Sequence, residues 1–323
     1  METILSGMQP TGHLHLGNFE GALKNWVELQ NQYEMYLCIV DWHSLTAEYE
    51  NTSELRERVF QMAVDFLAGG LDPEKCAIFI QSEVKEHAEL HLLLSMLTTV
   101  PTLTRLPTYL EKKEEKGLDT YGFLGYPVLQ AADILVYNAQ KVPVGKDQEK
   151  HVWLAADLAK RFNMLYGPVF NEPQVLLTKF PTIPGLDGRK MSKSLNNHIT
   201  LAESEEETAK KLRTMFTDPQ KLRKGDPGRP EICPVYFLHQ IYTSGHEDIV
   251  APCKSGELGC VDCKKRLISN LNNVLAPIRE KRKKLVENRD HIFDVLKNGA
   301  SRARQKAAAT MAKVREAMKL IYY

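Results

Sequence analysis

No stretch of the sequence approaches the roughly 18 consecutive apolar residues that cross a bilayer. Its first residues have strand character where a secretory leader would carry base and then an apolar run. A protein of the cytoplasm with no membrane partner is therefore expected. Charge of one sign is also lacking: 42 Lys and Arg against 41 Asp and Glu leave a net charge of +1, so no whole-molecule field advertises nucleic acid. Neither a P-loop nor a G-x-G-x-x-G fingerprint is present. No compelling Ser-His-Asp or Cys-His arrangement for nucleophilic catalysis appears either. Cysteine is scarce, six in 323 residues, and in an intracellular chain free thiols or metal ligands are expected before a disulfide framework.

What is present is a change of rhythm. The first half alternates short apolar runs with helical periodicity, the pattern of a parallel sheet covered by crossover helices. Ile4-Leu5, Met35 to Val40, Ala77 to Ile80 and Val142 to Val144 read as strands. Between the second and third, a helix is predicted with Asn51 as N-cap and Glu54 behind it. Leu55, Val59, Met62 and Phe66 form its apolar face, and Gly69-Gly70 its stop. The run after Gly145 repeats the pattern through Val152, Ala155, Ala159 and Phe162. A loop dense in Pro and Gly runs from Phe180 through Gly188. Beyond it residues 201–223 and 264–323 are predicted helical, with Leu267, Leu271, Leu275 and Ile278 on one buried stripe. The expected architecture is a doubly wound parallel α/β domain, residues 1–198, followed by an all-helical domain, residues 199–323. The tail of the second is rich in base: Lys264-Lys265-Arg266, Arg279, Lys281-Arg282-Lys283-Lys284, Arg302, Arg304 and Lys306. Such a stripe suits a phosphate backbone and equally a solvated helical face.

Ligands of open parallel sheets lie beyond the carboxyl ends of the strands. After the first strand comes Ser6-Gly7-Met8-Gln9-Pro10-Thr11-Gly12-His13-Leu14-His15-Leu16-Gly17-Asn18. Its glycines let backbone approach a ligand, and its end enters a helix whose free N–H groups suit phosphate. By chemistry alone this is equally a tight turn with ordinary polar caps. Far along the chain, Lys190-Met191-Ser192-Lys193-Ser194 puts two lysines on one loop, suited to clamping a polyphosphate as charge builds on a leaving pyrophosphate. His15-Leu16-Gly17-Asn18 resembles the His-Ile-Gly-His signature of class I aminoacyl-tRNA synthetases, and Lys190 to Ser194 matches their second signature without departure. Asn18 stands where most members have His, a variation shared by the tryptophan enzymes; both side chains can donate to phosphate. The resemblance implies a Rossmann-like catalytic domain that binds ATP with Mg²⁺. An amino-acid carboxylate would attack the α-phosphorus, and the aminoacyl group would then pass to the terminal ribose of a transfer RNA. It further implies His15, Asn18, Lys190 and Lys193 as catalytic residues. The implied nucleotide site comprises Gln9, Pro10, Thr11, Gly17, Asn18, Gly145, Lys146, Asp147, Ile183, Lys190, Met191, Ser192, Lys193 and Ser194.

Tyr126-Pro127-Val128-Leu129-Gln130-Ala131-Ala132-Asp133 places Gln130 and Asp133 on one helix face. A carboxylate can accept the N–H of an indole, which only donates, although an acid near a helix N-terminus is also favoured by the dipole. Val142-Pro143-Val144-Gly145-Lys146-Asp147-Gln148 resembles the Val-Pro-Val-Gly-Glu-Asp-Gln stretch of tryptophanyl-tRNA synthetases, with Lys146 in place of Glu. Asp41-Trp42-His43 is also similar to that family, and Asp157-Leu158-Ala159 with Arg161-Phe162-Asn163 favours it over tyrosine-specific relatives. The resemblance covers nearly the whole chain. It implies L-tryptophan and tRNA-Trp as substrates, an anticodon-binding helical domain and a symmetric homodimer. The implied tryptophan pocket is Asp133, Tyr126, Gln130, Val142, Val144, Gln148 and His43, with Asp133 accepting a hydrogen bond from the indole N–H, the valines walling the ring and Gln148 near the amino group. His43 reads equally well as a satisfied core histidine.

Cys233, Cys253, Cys260 and Cys263 end in a C-x₂-C pair, a chelating spacing found in both zinc and iron–sulfur proteins. Four soft thiolates favour either over Mg²⁺ or Ca²⁺, and spacing alone does not separate them. The pattern resembles that of a subset of bacterial tryptophanyl-tRNA synthetases, and this resemblance implies a 4Fe-4S cluster, with structural Zn²⁺ as the alternative. Cys38 and Cys76 lie in strands and read as buried small apolar residues.

Overall fold

The computed structural model describes residues 1–145, 148–177 and 182–321. The chain divides into two compact units: residues 1–12, 25–178 and 288–323 form one, and residues 13–24 and 179–287 the other.

The first unit is built on a parallel sheet whose described strands are β1 (Thr3–Met8), β2 (Glu34–Ile39), β3 (Cys76–Ile80), β4 (Lys141–Val144) and β5 (Gln174–Leu177). Their order is β3-β2-β1-β4-β5, with Thr3 opposite Glu34, Met35 opposite Cys76 and Lys141 opposite Gln174. The chain winds outward in both directions from β1. The gap between the carboxyl ends of β1 and β4 is thus the switch point at which such sheets bind ligands. The four apolar runs read from the sequence all form strands. The fifth escapes that reading because it is a four-residue edge strand with half-buried valine and leucine between exposed ends, and an edge needs little apolar patterning.

The helix expected from Asn51 begins at Leu55 and ends at Ala68. Asn51 instead accepts from the Ser53 hydroxyl at 2.9 Å, and Val59, Met62 and Phe66 are buried as the periodicity requires. The helix carrying Asp133 spans Tyr121–Val136, opened by Thr120, whose side chain accepts from the Phe123 N–H at 3.2 Å. Glu149–Tyr166 buries Val152, Ala155, Ala159 and Phe162.

The last helix, Arg289–Ala317, belongs to the sheet unit. Its small residues Gly299, Ala300, Ala303 and Ala307 are buried, and a Cβ on Gly299 would stand 1.9 Å from the Ile78 carbonyl oxygen of β3. Small side chains at helical spacing are what permit this approach. Two bases of the supposed phosphate stripe are committed to this unit. Arg302 donates to the Pro73 and Cys76 carbonyls at 2.9 and 3.3 Å, and Lys306 pairs with Glu34 at 2.9 Å.

In the second unit the helix expected over 201–223 is confined to Glu205–Thr214. It starts in a reciprocal capping box between Ser204 and Glu207, worth about 1 kcal/mol. Pro234–Tyr242, Val250–Ser255 and Cys260–Glu287 follow. The last of these buries Leu267, Leu271, Leu275 and Ile278, the predicted stripe.

Candidate active site

In the first unit, the helix over Tyr121–Val136 carries Asp133 into a buried polar network. Asp133 is 3% exposed. His43 Nε2 lies 2.7 Å from its Oδ2, while His87 Nδ1 and Gln81 Nε2 lie 2.6 and 2.7 Å from its Oδ1. His87 Nε2 continues to the Tyr137 hydroxyl at 2.7 Å. Burial alone would raise the Asp133 carboxyl; the charge and hydrogen bond of His43, then those of His87, override it and hold the group well below the ordinary carboxylate range. The result is a desolvated anion, clamped by three donors, beside the strand ends. Gln9 reaches the same region, its amide donating to the His43 carbonyl at 3.4 Å.

A second relay runs from Tyr126, whose hydroxyl lies 3.3 Å from His151 Nε2, to Gln148, whose Oε1 lies 2.9 Å from His151 Nδ1. Val142 is buried, and Val144, Gln130 and Gly145 are half-buried. Pro10 is buried and Thr11 exposed on the turn after β1. Of the implied pocket, His43 and Asp133 are joined directly and Tyr126 and Gln148 through His151. Gln81, His87 and His151 were not singled out from the sequence. They lie on separate segments without a shared motif, and only the fold groups them.

In the second unit, the two signatures are drawn together. Leu16 N–H donates to the Ile199 carbonyl at 2.9 Å and Leu201 N–H to Leu14 at 2.8 Å, so the turn around His15 pairs with the chain just after the lysine loop. His15 caps the helix: its Nδ1 accepts from the Asn18 N–H and its own N–H donates to Asn18 Oδ1, both at 3.2 Å. The Asn18 carboxamide oxygen therefore holds the turn, and its amide nitrogen is the donor it can offer a phosphate. Gly17 is required by the ring of His15, since a Cβ there would fall 2.8 Å from His15 Cε1.

Burial, then the charges of Lys193, His198 and Lys190, lower His15 to about 4, so its imidazole is neutral at pH 7. Met191 and Ile183 are buried, and the Met191 N–H donates to the Ile183 carbonyl at 2.8 Å. Lys190 and Ser194 are exposed, and Ser192 and Lys193 half-buried. Arg282, from the basic stripe, lies 3.0 Å from His13 Nδ1. Lys146 and Asp147 lie outside the described residues.

Cys233, Cys253, Cys260 and Cys263 line one small cavity of about 20 Å³ together with Asp218, Lys221 and Arg229. Gly228 leaves it room, for a Cβ there would stand 2.6 Å from Cys253 Sγ. Burial and then the neighbouring thiols push Cys263 up to about 12. His239, not expected beside the cysteines, lies 3.4 Å from Cys263 Sγ and 3.1 Å from the Cys263 carbonyl oxygen. Among the described residues no group of three or more His, Cys, Asp or Glu side chains is gathered closely enough to hold a metal ion.

Residues 2–276 match the family described as tRNA synthetases class I (W and Y). The chain is 50% identical to the tryptophan–tRNA ligase of Thermotoga maritima over 326 residues, covering 99% of each. A crystal structure of the Campylobacter jejuni tryptophanyl-tRNA synthetase with ADP and tryptophan superposes with a TM-score of 0.88 at 34% identity, over 98% of this chain and 99% of that one. The tyrosyl-tRNA synthetase of Archaeoglobus fulgidus, at 23% identity and a TM-score of 0.69 over 87% of this chain and 90% of that one, shares the fold.

Proposed function

The chain belongs to the class I tRNA synthetases of tryptophan and tyrosine, in the bacterial tryptophanyl branch, and from that premise we propose which of its residues carry the reaction. The enzyme is a tryptophan–tRNA ligase. It activates L-tryptophan with ATP to tryptophanyl-adenylate, releasing pyrophosphate, and transfers the tryptophan to tRNA-Trp.

In our reading Lys190 and Lys193 neutralise the pyrophosphate as it leaves, while neutral His15 and the Asn18 amide donate to phosphate oxygens. Catalysis is then positioning and electrostatic stabilisation of developing charge. Gln9, Pro10, Thr11, Gly17, Gly145, Lys146, Asp147, Ile183, Met191, Ser192 and Ser194 complete the nucleotide site, and Mg²⁺ enters with ATP as part of the substrate. Asp133 accepts a hydrogen bond from the indole N–H, in a pocket with His43, Tyr126, Gln130, Val142, Val144 and Gln148. The observation that carries the reading is the backbone pairing of the His15 turn with the chain leaving the lysine loop. It brings sequence segments so far apart side by side and so supports their joint action on one nucleotide.

Residues 1–198 are assigned to catalysis and the helical residues 199–323 to transfer RNA, with the last helix also serving as cover for the sheet. The four cysteines are, in kind, the soft donors of a 4Fe-4S cluster or of structural Zn²⁺, but among the described residues no three of them stand close enough together to hold a metal ion and the cavity they line is about 20 Å³, so binding would require them to draw in around the group. Cys233, Cys253, Cys260 and Cys263 would hold it, and bound there it would cross-link segments of the helical unit without redox work. The homodimer is the assembly that the family resemblance implies; exposed apolar side chains such as Leu92, Met96, Val100 and Tyr121 are of the kind a partner copy would cover. No helix of the described residues is long and apolar enough to cross a membrane, in keeping with a place in the cytoplasm.

Pyrophosphate exchange with each of the twenty amino acids tests the activity: exchange with tryptophan is expected, and exchange with tyrosine alone would overturn the specificity. Iron, sulfide and zinc assays on anaerobically purified protein test the cysteine site. Iron with sulfide is expected, stoichiometric zinc selects the alternative, and none of the three removes the proposal.

A further inference from the structure

We propose that Asn197 is a positioning residue for the lysine loop. Its buried side-chain amide fixes the backbone on both sides of Met191 and so determines where Lys190 and Lys193 present their ammonium groups. The inference rests on the reading of those lysines as phosphate ligands.

Asn197 follows the loop signature and is 3% exposed. Its Oδ1 accepts from the Ser192 N–H at 2.8 Å. Its Nδ2 donates to Asp187 Oδ1 at 2.7 Å and to the Lys190 carbonyl at 3.1 Å. A carboxamide is the only small side chain with one acceptor and two donor hydrogens, and here they go to three points on the loop. The segment is a tight hairpin, with Gly185 N–H donating to Arg189 at 2.7 Å and Met191 N–H to Ile183 at 2.8 Å. The amide ties its turn, through Asp187, to the limb that carries the lysines.

Two glycines and an asparagine make this possible. A Cβ on Gly185 would lie 2.4 Å from Asn197 Cγ and Nδ2, so the amide fills the space that a side chain at 185 would take. Gly188 turns the hairpin at a φ of +82°. Asn196 has a φ of +49°, in the left-handed region that Asn tolerates. Its N–H donates to the Lys193 carbonyl at 3.0 Å, closing a turn around the second lysine.

The main chain of Asn197 is equally committed, its carbonyl accepting from Leu186 N–H at 2.8 Å. Two residues on, Ile199 accepts from Leu16 in the His15 turn at 2.9 Å. The amide thus registers the lysine loop against a stretch that is itself paired with the other signature. Lysine side chains are long and flexible, so the direction of their Cα–Cβ bonds is what the protein can control, and that direction follows the backbone Asn197 holds.

The test is a double-mutant cycle on the full chain, read by tryptophan-dependent pyrophosphate exchange with KM measured for tryptophan and ATP. The variants are Asn197→Ala, Asn197→Asp, Lys193→Ala and the Asn197→Ala/Lys193→Ala pair. Asn197→Ala is expected to lower kcat by about 10- to 100-fold, the cost of misplacing catalytic groups by about 1 Å, with the KM for tryptophan within about twofold of the parent. The pair is expected to fall no more than about threefold below Lys193→Ala alone, because residues acting as one unit are not additive. Asn197→Asp keeps the size and the acceptor for Ser192 but sets an oxygen against Asp187 and the Lys190 carbonyl. It is expected to match Asn197→Ala, and it takes that variant's place in the cycle should the alanine chain be insoluble. Multiplicative losses in the pair, an unchanged kcat in both Asn197 variants, or a rise in tryptophan KM as large as the fall in kcat overturns the proposal while leaving the lysine reading in place. Full activity in Lys193→Ala overturns both.

Discussion

Replacing Asp133 by Asn separates recognition of tryptophan from the architecture of its pocket. Asp133 is bonded through one oxygen to His43 and through the other to His87 and Gln81, all within 2.7 Å. An asparagine carbonyl has two lone pairs and can keep His87 and Gln81, while its amide nitrogen faces His43, which accepts once its ring proton moves to Nδ1. The fold is then largely preserved and the anionic acceptor is gone. A hydrogen bond to a charged group contributes about 1.5–3 kcal/mol, so the KM for tryptophan should rise about 10- to 150-fold, with the KM for ATP near the parent value. Alanine is the wrong probe. It strands three buried donors at a cost of about 3–5 kcal/mol to the fold, and activity would fall whatever the role of the carboxylate. The assay is pyrophosphate exchange with tryptophan and with 3-benzothienylalanine, in which sulfur replaces the indole N–H. The parent should strongly prefer tryptophan, and Asp133→Asn should narrow the preference to within about tenfold. A rise in KM of equal size for both amino acids, or for ATP in parallel, refutes the assignment.

Three further outcomes follow from the same coordinates. His15 is held at about 4 against 6.5 for a free histidine, so between those pH values the unfolded chain binds a proton that the folded chain does not. Stability should fall as pH drops through that window by about 3 kcal/mol, and His15→Gln should lose this part of the pH dependence; an unfolding free energy from denaturant titration that falls equally between pH 7 and about 4.5 in parent and His15→Gln would contradict it. Asp133 acts at lower pH: its carboxyl is depressed below the ordinary 3.8, so the stability it confers is intact above that value and is lost as pH falls through its folded pKa. Acid unfolding of the parent should be steeper than that of Asp133→Asn below pH about 4. Gly299→Ala should cost about 3 kcal/mol or more by overpacking the last helix against Ile78, and an unfolding midpoint equal to the parent's would show that helix and sheet can separate without penalty.

The sequence by itself determined β1 to β4, the buried faces of the main helices, both signature segments and the four cysteines, because each is a local pattern: apolar spacing, glycine placement, or charge on a loop. Only the tertiary structure decided what those patterns meet. Periodicity says that a helix has a face to bury and not which surface will take it. The final helix accordingly continues the helical stretch in sequence yet packs on β3, and Arg302 and Lys306 are engaged by carbonyls and Glu34, where the sequence read equally as a phosphate surface or a solvated face. Edge strand β5 carries too little apolar signal to be seen before it has a neighbour. Gln81, His87 and His151 are unremarkable in sequence, as is Asn197 beside a conspicuous motif. A buried hydrogen bond depends on where two distant segments are brought together, and that placement is a property of the folded sheet and loops, with no counterpart in residue order.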